Sequence, residues 1–115
     1  MVYEIIRSAE VDRDLLFIFR HLIDSYNALG EPLQDAFQRA TQRIGTIGAD
    51  MRALGQMPHQ GTQLFDLRPG LRQVTKNRAI FYFIVNDDSR TVHIVAVFFG
   101  GQDHRRHMLK RFKRS

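Results

Sequence analysis

The sequence predicts an α+β fold in which an N-terminal strand and a two-helix hairpin pack on an antiparallel β-sheet, followed by a short basic helix or tail. Residues 2–7 are β-prone, residues 9–55 show helical periodicity, and residues 71–99 hold three β-rich segments. Helices on one side of an antiparallel sheet are the compact arrangement for that order. The 115 residues match one ordinary domain and contain no repeat or linker, so we assign residues 1–115 to a single domain.

Two amphipathic helices are predicted between residues 9 and 55. The first follows from apolar residues at three- and four-residue spacing: Val11, Leu15, Ile18, Leu22 and Tyr26. The second follows Pro32 and alternates steps of four and three: Leu33, Phe37, Ala40, Ile44, Ile47, Met51 and Leu54. Gly30 and Gly55 are placed to end them. Gly45 and Gly48 each cost the second helix roughly 1 kcal/mol, so we expect a break there or a close approach of the first helix.

Three strands are predicted over residues 71–75, 78–86 and 90–99, separated by turn residues. Both alternating faces of the last two strands are apolar, so the sheet should be covered on both sides. The helical hairpin supplies one cover. The other is the C-terminal segment, a bound partner or a second copy of the chain.

Composition and charge restrict the class of protein. No apolar run approaches the roughly 20 residues of a bilayer span, and no signal-peptide pattern is visible, so we expect a cytoplasmic protein that does not contact a membrane. The chain has no cysteine, which excludes disulfides and a thiol nucleophile. Its net charge is +5, with 11 basic and 4 acidic residues in positions 58–115. That half favours an anionic partner, such as nucleic acid or an acidic protein segment.

A basic cluster is predicted at the entry to the sheet. It consists of Arg68, Arg72, Lys76 and Arg78. The last three share strand parity, with Tyr82 on the same parity, which suits a phosphate-binding or RNA-cleaving surface. The plainer interpretation is a solvated sheet edge with Tyr82 in the core.

The C-terminal tail is the second candidate. Met108, Leu109 and Phe112 should dock one side of it on the sheet, which leaves its cations partly free to meet a target: Arg105, Arg106, Lys110 and Arg111. His107 has the residue type of a general acid or base, whereas His93 is interpreted as a hydrogen-bonded sheet residue. His104 and His107 lack a third ligand, so we expect no metal site and no cofactor.

Three motifs carry a family resemblance: LRPGLR at 67–72, IFY at 80–82 and GGQDHRRHML at 100–109. With the β-αα-βββ order, they resemble the ParE branch of the RelE/ParE toxin superfamily over nearly the whole chain. The sequence departs from that pattern at Phe98-Phe99, where a Leu-His pair is common, and in its glycine-punctuated second helix.

The resemblance implies the toxin of a bacterial type II toxin–antitoxin module of the plasmid-stabilisation kind. A ParE-like toxin is a DNA gyrase inhibitor rather than an enzyme, and a ParD-like antitoxin neutralises it in a heterotetramer or larger assembly. The alternative is a RelE-like, ribosome-dependent mRNA endonuclease with four catalytic residues: Arg72, Lys76, Arg78 and His107. A third alternative is a nonspecific nucleic-acid-binding module.

Two sets of binding residues follow from these predictions. The target-binding set is basic: Arg68, Arg72, Arg78, Arg105, Arg106 and Lys110. The antitoxin-binding set is apolar and lies on the sheet: Tyr82, Ile84 and Phe98.

Overall fold

A computed structural model describes residues 2–100, 106, 108, 110 and 111. Along the chain it contains β1 (Glu4–Arg7), α1 (Ala9–Ala28), α2 (Leu33–Ala53), a 3₁₀ turn (Leu54–Gln56), β2 (Thr62–Gln63), β3 (Leu71–Lys76), β4 (Ala79–Asn86) and β5 (Thr91–Phe99). The predicted α+β class, with an N-terminal strand and two helices, is confirmed. No helix in the described part of the chain is long and apolar enough to cross a bilayer.

The sheet has five strands in the order β1-β5-β4-β3-β2. The β3–β4 and β4–β5 pairs are antiparallel, as the sequence predicts. The N-terminal strand joins this sheet at the far edge, where β1 pairs in parallel with β5, so the five-stranded sheet is mixed. A parallel neighbour needs a long crossover, which the intervening helices and strands supply. The edge strand β2 was not predicted, since two residues are too short to show an alternating pattern.

Both helices form where the periodicity places them. The expected break at Gly45 and Gly48 does not occur, because α2 runs through both glycines. The expected close approach of α1 is also wrong. A Cβ at Gly45 would have no atom within 4 Å, and one at Gly48 would meet only the flexible Arg52 side chain, at 3.4 Å.

The face of the sheet that the helices cover holds the larger core. Val11, Ile18, Ile47 and Met51 from the helices are each at most 1% exposed, and they share one cluster with sheet residues such as Phe81. Two residues of the predicted α2 seam lie outside this core: Leu33 and Phe37 are 63% and 55% exposed. The Phe37 ring packs edge-on against Phe19 of α1 at 5.4 Å, on the outside of the hairpin.

The opposite face of the sheet, called the open face below, has its own smaller cluster. Its buried members are Leu71, Ile80, Tyr82, Ala96, Phe98 and Met108. Leu64 and Leu67, from the loop before β3, pack against its edge. Of the three covers considered from the sequence, the structure therefore shows the C-terminal segment, represented by the fully buried Met108.

Candidate functional site

A groove of about 410 Å³ crosses the open face beside β5. We call it the open-face groove. Its lining combines apolar and polar side chains: Ser8, Glu10, Arg68, Ile84, Asn86, His93, Ile94, Val95 and Arg111. His93 and Ile84 are direct neighbours in the β4–β5 register, so both side chains belong to this face. The β-strands therefore provide the floor, while the start of α1 and the tail provide the wall.

Arg111 anchors the tail at one wall of the groove. Its Nη1 and Nη2 donate to Asp14 Oδ2 and Oδ1 at 2.9 and 2.8 Å, and its Nε lies 2.8 Å from Glu10 Oε2 as an ion pair without good hydrogen-bond alignment. Only 16% of the Arg111 side chain and 11% of Asp14 are exposed. The hydrogen bond to Asp14 raises the pKa of Arg111. The expectation that Arg111 is partly free to meet a target is therefore wrong, because its guanidinium group is held by Asp14 and Glu10.

A β-bulge explains where this arginine sits. The register passes from Tyr82–Ala96 to Phe83–Ile94, so Val95 has no partner on β4. Arg111 Nη1 donates to the Val95 carbonyl at 2.8 Å, and Asp14 Oδ2 accepts the Val97 N–H at 3.1 Å. The Arg111–Asp14 pair thus satisfies backbone groups at the bulge and joins α1, β5 and the tail.

His93 is the exposed titratable side chain of the groove floor. The interpretation of His93 as a hydrogen-bonded sheet residue is confirmed for its backbone, which lies in β5 between Ile6 of β1 and Ile84 of β4, whereas its side chain forms no hydrogen bond with any residue that the structure describes. The alternation of residues along β5 was the sequence signal for the position of His93. Val92 and Ile94 are buried on the helix-covered side, so His93 between them lies on the open face. Arg68, from the predicted basic cluster, lines the same groove.

The rest of the predicted basic cluster does not share this site. Arg72 pairs with Phe83 and Lys76 pairs with Ala79, so both belong to the helix-covered side of the sheet. The two-residue turn at Asn77 and Arg78 reverses the parity count, and Tyr82 therefore lies on the opposite face from Arg72. Along β3, Arg72 and Lys76 are separated by roughly 13 Å. The grouping of these residues with Tyr82 is wrong.

The remaining predicted residues fall in three places. Arg78 is exposed in the β3–β4 turn, and Arg106 and Lys110 are exposed in the tail. Arg105 and His107 lie outside the described residues. Among the described residues, no three metal-ligating side chains come together.

Arg72 belongs to a separate polar cluster that the sequence did not reveal. Tyr3 Oη donates to Asp87 Oδ1 at 2.8 Å, and His59 Nε2 lies 2.7 Å from the same oxygen. Arg72 Nη1 donates to the His59 carbonyl at 2.8 Å. The Tyr3–Asp87 hydrogen bond raises the pKa of Tyr3 and lowers the pKa of Asp87. The cluster ties β1, the loop before β2 and the β4–β5 turn together.

The predicted antitoxin-binding residues are largely occupied within the chain. Tyr82 and Phe98 are 1% and 4% exposed, and their rings pack edge-on at 6.0 Å in the cluster that contains Met108. Ile84 is half-buried in the open-face groove. As placed here, Tyr82 and Phe98 offer almost no surface to a partner.

Apolar surface is exposed instead on the outside of the helical hairpin. A depression of about 330 Å³, called the hairpin groove below, is lined by Leu15, Leu16, Phe19, Thr41 and Ile44. Leu16 is 46% exposed and Phe37 borders the groove through its contact with Phe19. Gly45 and Gly48 follow Thr41 at four and seven residues, so they extend this stripe along α2 without side chains.

Comparison with solved structures shows the same architecture in a chain of the toxin–antitoxin complex RelBE2 from Mycobacterium tuberculosis. The TM-score is 0.56 at 12% sequence identity, and the match covers 87% of this chain and 100% of that chain. The two chains share a fold. The predicted RelE/ParE-like fold is thereby confirmed, and at 12% identity the likeness concerns the fold alone. No family model and no curated protein matches the sequence.

Proposed function

We propose that this chain is the toxin of a bacterial type II toxin–antitoxin pair, that it inhibits DNA gyrase in the cytoplasm, and that a ParD-like antitoxin neutralises it. The fold shared with a RelBE2 chain supports the toxin class. The ParE-like motifs of the sequence support gyrase as the target.

The apolar centre of the open face is the observation that favours gyrase inhibition over mRNA cleavage. An endonuclease stabilises a charged phosphorane with several cations aimed at one point. Here the centre of the open face is Tyr82 and Phe98 under Met108, while Arg72 and Lys76 belong to the other side of the sheet. Inhibition of a protein target such as gyrase does not require several cations directed at one point.

The open-face groove favours RelE-like cleavage as the second candidate. Imidazole titrates near neutral pH and moves protons, and guanidinium binds phosphate in bidentate fashion. His93 and Arg68 line one groove of suitable size for a nucleotide. If the chain cuts RNA, these residues replace the predicted set of Arg72, Lys76, Arg78 and His107.

Inducing the chain in cells while following supercoiling and mRNA integrity tests the target. We expect loss of gyrase supercoiling with intact mRNA. His93→Ala should leave that inhibition unchanged, whereas removing a proton-transfer group from an endonuclease lowers its rate about 10²- to 10⁴-fold. Codon-dependent mRNA cuts that disappear in His93→Ala, with normal supercoiling, would overturn the gyrase proposal.

The hairpin groove is the proposed antitoxin surface. Along α1, Arg13 and Arg20 lie one helical turn before and one helical turn after Leu16 of the groove. Along α2, Arg52 lies one helical turn after Gly48. These three arginines are exposed and form no ion pair with a described residue. An apolar groove bordered by unneutralised arginines fits an acidic amphipathic helix. A second copy of the chain would bring the same arginines together and be repelled.

Adjacent residues of α1 provide a matched pair of variants for this surface. Leu16 lines the groove, while Phe17 is 58% exposed and points about 100° away around the helix. Leu16→Glu should weaken the complex with the product of the adjacent gene at least tenfold, and Phe17→Glu should change it little. Equal effects would contradict this placement, and so would self-association of the chain that Leu16→Glu abolishes.

A further inference from the structure

The β3–β4 turn holds an arginine in a backbone conformation that suits glycine. Asn77 and Arg78 have φ angles of +50° and +69° and connect Lys76 to its partner Ala79. Two-residue hairpin turns of this kind strongly prefer Asn-Gly. An arginine in the left-handed region lowers the stability of the fold relative to glycine.

The side chains of Arg78 and Arg43 both pack against the ring of Phe99 at this turn. The guanidinium carbon of Arg78 lies 5.6 Å from the centroid of the Phe99 ring, and that of Arg43 in α2 lies 5.3 Å from the same centroid. Arg43 Nη2 also donates to the Asn77 carbonyl at 2.6 Å. Both guanidinium groups therefore pack on the same ring, Arg43 also contacts the turn, and Lys76 directly precedes the turn.

No carboxylate among the described residues neutralises these three side chains, which we call the basic corner: Arg43, Lys76 and Arg78. Asp50, the acidic residue that reaches the turn, accepts a hydrogen bond from Asn77 Nδ2 at 2.7 Å. With Asp50 as one carboxylate beside three cations, the turn keeps a net positive charge, which favours an external anion at the basic corner.

A polar groove of about 270 Å³ adjoins the basic corner through Arg43. Its lining is rich in donors: Tyr26, Arg39, Gln42, Arg43 and Thr46. Arg39 is stacked over Tyr26 at 4.2 Å and paired with Glu31 at 3.0 Å. The guanidinium groups and the Gln42 amide can donate to phosphate oxygens, although the Thr46 hydroxyl already donates to the Gln42 carbonyl at 3.3 Å, and Phe99 is only 7% exposed and offers little apolar surface to a protein.

We propose that the basic corner binds the phosphate backbone of a nucleic acid, as a contact additional to the proposed action on gyrase. The two guanidinium groups and the Lys76 ammonium would each neutralise a phosphate. This binding is nonspecific in sequence, because phosphate contacts carry no base information.

Arg78→Gly provides a sharp test, because glycine fits the turn. Measured by fluorescence anisotropy on a labelled 20-base-pair DNA duplex across a salt series, Arg78→Gly should bind several-fold more weakly and lower the salt slope by about 1. Its melting temperature should rise, because the strained backbone is relieved. Arg43→Gln should weaken binding similarly.

Arg90→Gly is the matched control. Arg90 also has a positive φ, +54°, and the substitution removes the same charge at the opposite end of the sheet. It should leave the DNA affinity nearly unchanged. Equal losses in Arg78→Gly and Arg90→Gly would show only diffuse charge attraction and overturn the proposal, as would the absence of salt-dependent binding.

Two competitors separate the sources of the anion. Unlabelled duplex should displace the probe, while inorganic phosphate at equal phosphate concentration should not. Stronger competition by a polyglutamate peptide than by duplex would assign the basic corner to an acidic protein segment and overturn the nucleic-acid proposal. Gyrase inhibition without DNA binding refutes this inference alone, and DNA binding without gyrase inhibition refutes the proposed function alone.

Discussion

The two faces of the sheet are covered by different kinds of structure. On one face, α1 and α2 contribute a continuous layer of fully buried side chains, among them Ile18 and Ile47. On the open face, the loop before β3 reaches the edge, and the described tail contributes Met108 and the ion-paired Arg111. Many apolar contacts close the first face, whereas few of the described residues close the second.

The two faces of the sheet therefore differ in what happens to the protein when each one opens. Opening the helix-covered face exposes the main core, so it amounts to unfolding. Among the described tail residues, opening the open face releases the buried Met108 and the ion-paired Arg111, and regions with few buried contacts open at a lower free energy than the whole fold. The open face is therefore the side on which buried surface can become accessible without unfolding the protein.

Phe81 and Met108, both fully buried, test that difference most directly. Phe81→Ala should lower the free energy of unfolding by about 3–5 kcal/mol, because it leaves a cavity in the helix-covered core. Met108→Ala should cost about 2 kcal/mol, since the tail can readjust over Tyr82. Urea denaturation gives both values.

Amide hydrogen exchange supplies the control for that pair. Met108→Ala should speed exchange on the open-face side and in the tail, while the amides of α1 and α2 stay protected. A loss of protection spread equally over all elements in Met108→Ala would contradict the idea of a separately opening face.

Two aspartates of α1 sharpen the comparison at the level of ion pairs. Asp14→Asn should cost about 1–3 kcal/mol, because it leaves the largely buried Arg111 and the Val97 N–H with weaker acceptors. Asp12→Asn should cost less than about 1 kcal/mol, since its partner Arg7 is 48% exposed and Asp12 is 59% exposed. Thermal and urea melts measure both. Equal costs would mean that Arg111 does not fasten the tail.

Local patterns in the sequence predicted most of the fold. Helical spacing located α1 and α2, and β-branched and aromatic residues located β3, β4 and β5 to within about one residue. The parallel pairing of β1 was not predictable in this way, because a four-residue strand carries no sign of its partner's direction.

The candidate site was predicted less well, because its geometry depends on distant residues. Arg68 lines the open-face groove, away from the Arg72 and Lys76 with which it was grouped, and Arg111 was expected to be partly free but is ion-paired. Its partner Asp14 lies 97 positions away, a separation that no spacing rule connects. The predicted placement of Tyr82 on the same face as Arg72 was wrong for a local reason. The two-residue turn between β3 and β4 determines which side chains of the two strands share a face.

The smallest expected effect is the pH dependence of the Tyr3–Asp87–His59 cluster, which lies at the exposed end of the sheet. The hydrogen bond from Tyr3 lowers the pKa of Asp87 in the folded protein. A lowered carboxyl pKa stabilises the fold above the unfolded value of about 3.9, and this contribution disappears as the pH falls through the folded pKa. The melting temperatures of the parent and Asp87→Asn should therefore differ at pH 7 and converge well below pH 4.

The pKa of Tyr3 is shifted in the opposite direction, so Tyr3 predicts a pH dependence of stability of opposite sign at alkaline pH. The Tyr3 and Asp87 variants therefore check each other. The same hydrogen bond raises the pKa of Tyr3, so the stabilisation is complete below the unfolded value of about 10 and is lost as the pH rises through the folded pKa. Tyr3→Phe should melt lower than the parent at pH 7 and approach it above pH 10. Parallel melting profiles for the parent and both variants from pH 3 to 11 would show that the cluster does not stabilise the fold.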